Sequence, residues 1–331
     1  MGSSLPYYTL VILVLSCTYR YVSCLNLNGK SGLRKTSPQD LLSRRAAIVV
    51  SSSLVTSTQI SKDANAKQVP GGGMMFEIRD RYPALVYVPP TTNSTNDKGS
   101  SQSKKLPVLI VLHGAGKNEL DVWNLANIQG EHSGLPPSLI ASGQAPSELL
   151  NNFIVVAPYS FGKTSFYDEP RSKILEFISV ITGMTAPDPT SDLGENDFVS
   201  KIDLNRLFLF GFSDGATLGI ELMTTRKFAA GVIAAYGFTG TLPTLALERL
   251  KDLPLWIFHS ADDVIFPVRC SDNLVRSLRQ VNKNNDIIRY SRFDKDQEGF
   301  TGRLRGHSTG ITASKNPEIY KWLLNVGQAQ I

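Results

Sequence analysis

Arg206-Leu207-Phe208-Leu209-Phe210 runs without a break into Gly211-Phe212-Ser213-Asp214-Gly215, which opens onto Ala216-Thr217-Leu218-Gly219-Ile220-Glu221-Leu222-Met223. A short apolar run has the length of a buried strand, and the longer stretch after it suits a helix. G-x-S-x-G at such a junction predicts a tight, strained turn. A Cβ at either glycine would collide with the neighbouring strand or helix. The turn holds its serine hydroxyl above the sheet edge, where a base and a substrate carbonyl can both reach it. The pattern alone also recurs by chance in glycine-rich turns, so an incidental serine in a strand–helix connection is the bland alternative. The strand before and the helix after favour a nucleophile.

Upstream, Leu106-Pro107-Val108-Leu109-Ile110-Val111-Leu112 reads as a fully buried parallel strand and ends in His113-Gly114-Ala115-Gly116. Small residues there let the main chain approach a carbonyl oxygen, and H-G-x-G loops donate one N–H to an oxyanion hole. Ala115, between Gly114 and Gly116, is the candidate donor. Asp214, the residue after the serine, is the second, through its backbone. His113 is expected to hold this loop by hydrogen bonds. Downstream, Leu253-Pro254-Leu255-Trp256-Ile257-Phe258 is another buried strand, followed by His259-Ser260-Ala261-Asp262-Asp263. The chain order Ser…acid…His places the acid here, and Asp262 and Asp263 compete for it. The four histidines are His113, His132, His259 and His307. Only His307 follows the acid and precedes the closing helix, so elimination makes it the base that takes the Ser213 proton and returns it to the leaving group.

From about Tyr82 to Leu324 the chain resembles the phospholipase/carboxylesterase-type branch of the α/β-hydrolase fold. It is similar to dienelactone hydrolases and to small esterases of the polyhydroxybutyrate-depolymerase and feruloyl-esterase kind. The resemblance is carried by Leu106–Gly116, Phe153-Ile154-Val155-Val156-Ala157-Pro158, Gly211–Ala216 and Leu253–Ser271. His259-x-x-x-Asp263-x-x-x-Pro267 resembles the family's H-G-x-x-D-x-x-x-P segment, which favours Asp263 over Asp262. Two departures stand out. Ser260 replaces the usual glycine, and an insertion, Lys295 to Arg305, separates Arg292-Phe293-Asp294 from Gly306-His307. The resemblance implies a serine hydrolase that cleaves carboxylic esters or thioesters, of small molecules or lipids, through an acyl-enzyme. A peptidase would use the same triad. A non-catalytic binding protein on this fold typically lacks a triad residue, and none is missing.

At 42% hydrophobic and 19% charged, 331 residues can bury a substantial core. Residues 1–66 hold seven Lys/Arg against two Asp/Glu, which accounts for the whole formal charge of +5. The body, 67–331, is balanced and carries no electrostatic footprint for nucleic acid. Strands are expected at Met74–Ile78, Ala84–Val88, Leu106–Leu112, Phe153–Ala157, Leu207–Phe210, Gly231–Ala235, Leu255–Phe258 and Ile287–Tyr290. Helices alternate with them, one capped by Ser271 and the last opened by Asn316-Pro317-Glu318. This is the pattern of an α/β, mostly parallel, doubly wound sheet with its active-site loops at the strand carboxyl ends. The loop Asn118–Asn152, with Trp123 and Leu135-Pro136-Pro137, and the aromatics Tyr159, Phe161, Phe166 and Tyr167 are mostly core, with a few candidates for a substrate pocket. Met184 to Asp197 reads as a solvated acidic loop. No cluster has metal-ligand spacing and no glycine pattern suits a nucleotide phosphate, so no cofactor is implied.

Residues 1–66 are expected to be a targeting leader. Tyr7 to Ser16 is too short to span a bilayer and suits a signal-peptide core. Asn26 to Arg45 has transit-peptide composition, Arg44-Arg45 precede an apolar stretch, and Ala64-Asn65-Ala66 is an A-x-A cleavage site. In series these modules resemble the presequences of thylakoid-lumen proteins in algae with secondary plastids. The alternative is simple secretion. No stable membrane insertion is expected after removal of the leader. The plastid reading predicts a mature start near Lys67 and no sugar at the sequon Asn93-Ser94-Thr95. Secretion predicts a start near Leu25 with a glycan on Asn93. N-terminal sequencing with intact mass of the native protein separates the two.

Overall fold

The computed structural model describes residues 66–90, 105–183, 185–186, 198–282 and 285–328. The leader up to residue 65, the sequon at Asn93 and most of the segment from Met184 to Asp197 lie outside them. The strands are β1 (Lys67–Gln68), β2 (Met74–Asp80), β3 (Tyr82–Val88), β4 (Leu106–Leu112), β5 (Ile154–Pro158), β6 (Ile202–Phe212), β7 (Ala230–Ala234), β8 (Leu255–Ser260) and β9 (Ile288–Phe293). They form one sheet in the order β1-β2-β3-β5-β4-β6-β7-β8-β9. The pairs β1–β2, β2–β3 and β3–β5 are antiparallel, and every pair from β5 across to β9 is parallel.

The helices are α1 (Pro136–Ala141), α2 (Ser147–Asn152), α3 (Arg171–Ile181), α4 (Asp214–Met223), α5 (Thr244–Leu250), α6 (Arg269–Val281), α7 (Thr309–Lys315) and α8 (Pro317–Gln328). Because side chains alternate along a strand, the central strands feed two cores. Val108, Ile110 and Leu112 of β4 join Leu207 and Leu209 of β6 on one face, with residues of α3, α4 and α6. Leu109, Val111, Phe208 and Phe210 point the other way, toward residues of α1, α2 and α8. Burial on both faces explains why these strands read as unbroken apolar runs. Leu135, Leu139, Ile140, Tyr159 and Phe166 are buried; the Leu135–Ile140 stretch is core.

Some elements differ from expectation. β6 starts five residues early, because Ile202 pairs with Leu106 ahead of a register shift; polar Asp203, Asn205 and Arg206 hide that start. Ser271 does not cap a helix. It lies inside α6, fully buried, and donates its hydroxyl to His259 Nδ1 at 2.7 Å. The short α7 was not expected. Among the described residues no helix is long and apolar enough to cross a membrane.

The chain enters the sheet centre at β4, steps to β5 on one side, and returns to β6 on the other. Loops leaving β4 and β6 therefore diverge at their carboxyl ends, and such a switch point is where doubly wound sheets bind ligands. Leu112 pairs with Gly211 there, bringing the ends of the two strands level.

Candidate active site

Ser213 joins β6 to α4 with φ 56 and ψ −115. A non-glycine residue in that region is strained and persists only when its surroundings hold it. Here they do. Ser213 N–H donates to Ala234 O at 2.9 Å and Gly215 N–H to His113 O at 3.0 Å. A Cβ on Gly215 would lie 2.3 Å from Leu112 O, and one on Gly211 2.5 Å from Gly215 O, so both glycines are steric requirements.

The turn aims the serine at His307, whose Nε2 is 2.8 Å from Ser213 Oγ. His307 Nδ1 is 2.7 Å from Asp263 Oδ2. The other carboxylate oxygen of Asp263 accepts from Ile265 N–H at 2.8 Å and Phe266 N–H at 2.9 Å. Burial works to raise the Asp263 pKa. Hydrogen bonds from His259 and His307, the His307 charge and the Phe266 N–H outweigh it and hold the carboxyl below its ordinary value. An ionised Asp263 accepts a hydrogen bond from Nδ1–H, which leaves Nε2 as the acceptor facing serine. Ser213, Asp263 and His307 are 7%, 8% and 7% exposed, so their hydrogen bonds run in a largely water-excluded setting.

Asp262 points elsewhere. Its Oδ1 accepts from Ser260 Oγ at 2.5 Å and from Asp296 N–H at 3.0 Å. Ser260 thus fixes the neighbouring aspartate. His259 is fully buried, donates from Nε2 to Phe266 O at 2.9 Å and lies 3.3 Å from Asp263 Oδ2. It braces the acid loop from behind.

On the other side, Gly114 packs against the serine, where an added Cβ would be 3.2 Å from Ser213 Cβ. Gly116 N–H is committed to Thr164 O at 2.9 Å. The neighbouring Ala115 N–H and that of Asp214, first residue of α4 and so without an intrahelical acceptor, are the candidate oxyanion donors. The Asp214 carboxylate faces away and accepts from Ser165 Oγ at 2.8 Å and Phe166 N–H at 3.0 Å. Burial raises its pKa.

The loop from His113 to Gly116 rests on a buried polar network. His113 Nδ1–H donates to Gly114 O at 2.7 Å, and its Nε2 accepts from Ser160 N–H at 3.1 Å. Asn118 donates to Ser160 Oγ at 2.5 Å and accepts from His132 Nε2–H at 2.7 Å. Burial pushes His113 well below its usual pKa and His132 down to about 4. The unfolded chain protonates both rings near the ordinary value of about 6.5. The folded chain resists until lower pH, so the network favours folding fully above that value and loses ground as pH falls below it. From pH 7 to pH 5, His132 alone should cost ~2 kcal/mol of unfolding free energy. Denaturant titrations at both pH values check this. His132→Gln should shrink the difference by about that amount, and an unchanged difference would exclude His132 as the source.

Sequence reasoning did not reach Asp296, Ser308, Ser165 or the bracing role of His259. Asp296 sits in the insertion, where an acid looks like any solvated loop residue. Among the described residues no group of His, Cys, Asp and Glu is placed to hold a metal ion.

A family model described as phospholipase/carboxylesterase matches residues 98–297, a span that contains Ser213 and Asp263 and stops short of His307. No curated protein matches the sequence. Among solved structures, the chain is similar to a thermostable esterase at 22% identity and a TM-score of 0.51, covering 76% of this chain and 62% of that one. It thus spans less than two thirds of that esterase. It is also similar to MGS-M1, an α/β-hydrolase enzyme from a Medee basin deep-sea metagenome library. That match has 14% identity and a TM-score of 0.50, covering 78% of this chain and all of the other. Likeness at these identities establishes the fold.

Proposed function

The chain belongs to the phospholipase/carboxylesterase family, and from that premise we propose a serine esterase that works through an acyl-enzyme on Ser213. The observation that carries the reading is the continuous hydrogen-bond chain from Ser213 Oγ through His307 to Asp263. Ser213 Oγ attacks the ester carbonyl carbon while His307 Nε2 takes its proton. The resulting oxyanion accepts hydrogen bonds from the Ala115 and Asp214 N–H groups. His307 then protonates the departing alcohol or thiol, and the acyl group stays on Ser213. Water, deprotonated by His307, attacks the acyl-enzyme; the acid leaves and Ser213 regains its proton. Asp263 keeps the proton of the resting imidazole on Nδ1 and stabilises the imidazolium formed at each step.

The substrates proposed are carboxylic esters or thioesters of small molecules or lipids. A p-nitrophenyl ester length series tests this. Turnover of esters, with a first-turnover burst of p-nitrophenol where deacylation is slower, is the expected result. Faster cleavage of peptide p-nitroanilides than of every ester would instead mark a peptidase. For the body of the chain we propose the plastid as its destination, on the leader modules alone, with secretion as the alternative.

A further inference from the structure

The segment Lys295 to Arg305 lies between β9 and the candidate base, and it does more than lengthen the connection. Asp296 folds back from it, 9% exposed, and its Oδ2 accepts from both Ser308 N–H at 2.6 Å and Ser308 Oγ–H at 2.5 Å. Its Oδ1 accepts from Glu298 N–H at 3.1 Å, and its own N–H donates to Asp262 Oδ1 at 3.0 Å. Ser308 is the residue after His307 and occupies the N-cap of α7, yet makes no side-chain cap bond to that helix. A serine at an N-cap ordinarily accepts from the first turn. Here the hydroxyl is diverted to donate to a buried carboxylate. Burying a carboxylate is costly unless its lone pairs are filled, and Asp296 has three donors converging on it.

The other side of the histidine is fixed as well. Gly306 has φ +74, and a Cβ there would lie 2.3 Å from Asp263 N, so this backbone lies directly on the Asp262–Asp263 peptide. Val264 N–H donates to Arg305 O at 3.1 Å. His307 is therefore held between two anchors. The Gly306 contact sets it against the acid loop, and Asp296 ties Ser308 to that same loop through Asp262.

We propose that Asp296 is a positioning residue for His307, and that the Asp262–Asp296–Ser308 chain fixes the imidazole between Ser213 and Asp263. The proposal rests on the triad reading above. With the clamp removed, the backbone at Ser308 gains freedom and the imidazole samples misaligned poses. A misplacement on the order of 1 Å costs catalysis up to about a hundredfold.

Steady-state kinetics on a p-nitrophenyl ester test this with the full enzyme. Asp296→Ala should lower kcat by about 10- to 100-fold, with KM within about threefold of wild type, because substrate binding does not use the clamp. Asp296→Asn keeps an oxygen for the Ser308 N–H and should recover most of that loss. Ser308→Ala should lower kcat less than Asp296→Ala does. The double variant should be no slower than Asp296→Ala alone, since both act through one interaction. Should Asp296→Ala fail to fold, Ser308→Ala must still lower kcat at constant KM. A kcat within about twofold of wild type for every folded variant overturns the proposal, as does a rise in KM at unchanged kcat or strict additivity in the double variant. Ser213→Ala run alongside separates the two readings. If it stays active, the triad reading falls and takes this proposal with it. If it is inactive while the Asp296 variants behave like wild type, only the proposal falls.

Discussion

Ser213→Ala is expected to lower turnover of a p-nitrophenyl ester by about 10⁴- to 10⁶-fold with little change in fold, the scale on which other triads lose their nucleophile. The variant removes Oγ, and with it the bond at 2.8 Å to His307, but leaves the backbone of the elbow in place. The strained φ of 56 is held by the Ser213 and Gly215 N–H bonds, which alanine keeps. The candidate oxyanion donors at Ala115 and Asp214 also remain, so a residual rate above that of water is expected. Circular dichroism and the melting temperature of the variant should match wild type. Loss of activity together with loss of fold would not fit, because nothing removed here supports the core.

Asp263→Asn should lose on the order of 10⁴ in turnover. The substituted amide has two ways to sit, and both fail. With its NH₂ toward His307, Nδ1 must become the acceptor, the ring proton moves to Nε2, and the imidazole can no longer take the serine proton. With its oxygen toward His307, the NH₂ meets the Ile265 and Phe266 N–H groups, which are donors themselves. Asp262→Asn has an easier task. Its oxygen can still accept from Ser260 Oγ and Asp296 N–H, so turnover should stay within about tenfold of wild type. Kinetics of the two variants side by side decide between the carboxylates. An exchange of outcomes would assign the acid role to Asp262 and contradict the contact between Asp263 and His307.

The sheet was legible because its central strands are buried on both faces and so stand out as apolar runs. The start of β6 was not legible, since Asp203, Asn205 and Arg206 interrupt the run with polar side chains. The elbow could be read because backbone sterics dictate its glycines: few residues fit where a Cβ would meet Leu112 O. The placing of His307 against Ser213 and Asp263 rested in the sequence on chain order alone, across an insertion. What the insertion does could not be read. Asp296 acts through contacts with Asp262 and Ser308, one 34 positions earlier and the other 12 positions later, and no local periodicity encodes such a bridge. Ser271 misled for a related reason. Serine near a helix start ordinarily caps it, but the fully buried His259 side chain takes the hydroxyl instead. Where a polar side chain has two candidate partners, tertiary contact decides, and sequence shows only the local one.

Ser213 is the nucleophile of the proposed mechanism, and covalent labelling tests that directly. The enzyme should react with a fluorophosphonate probe to give a single adduct, and peptide mass spectrometry should place it on Ser213. His307→Ala should label far more slowly, because the hydroxyl then lacks its base. An adduct on any other residue, or full labelling of Ser213→Ala, would contradict the assignment.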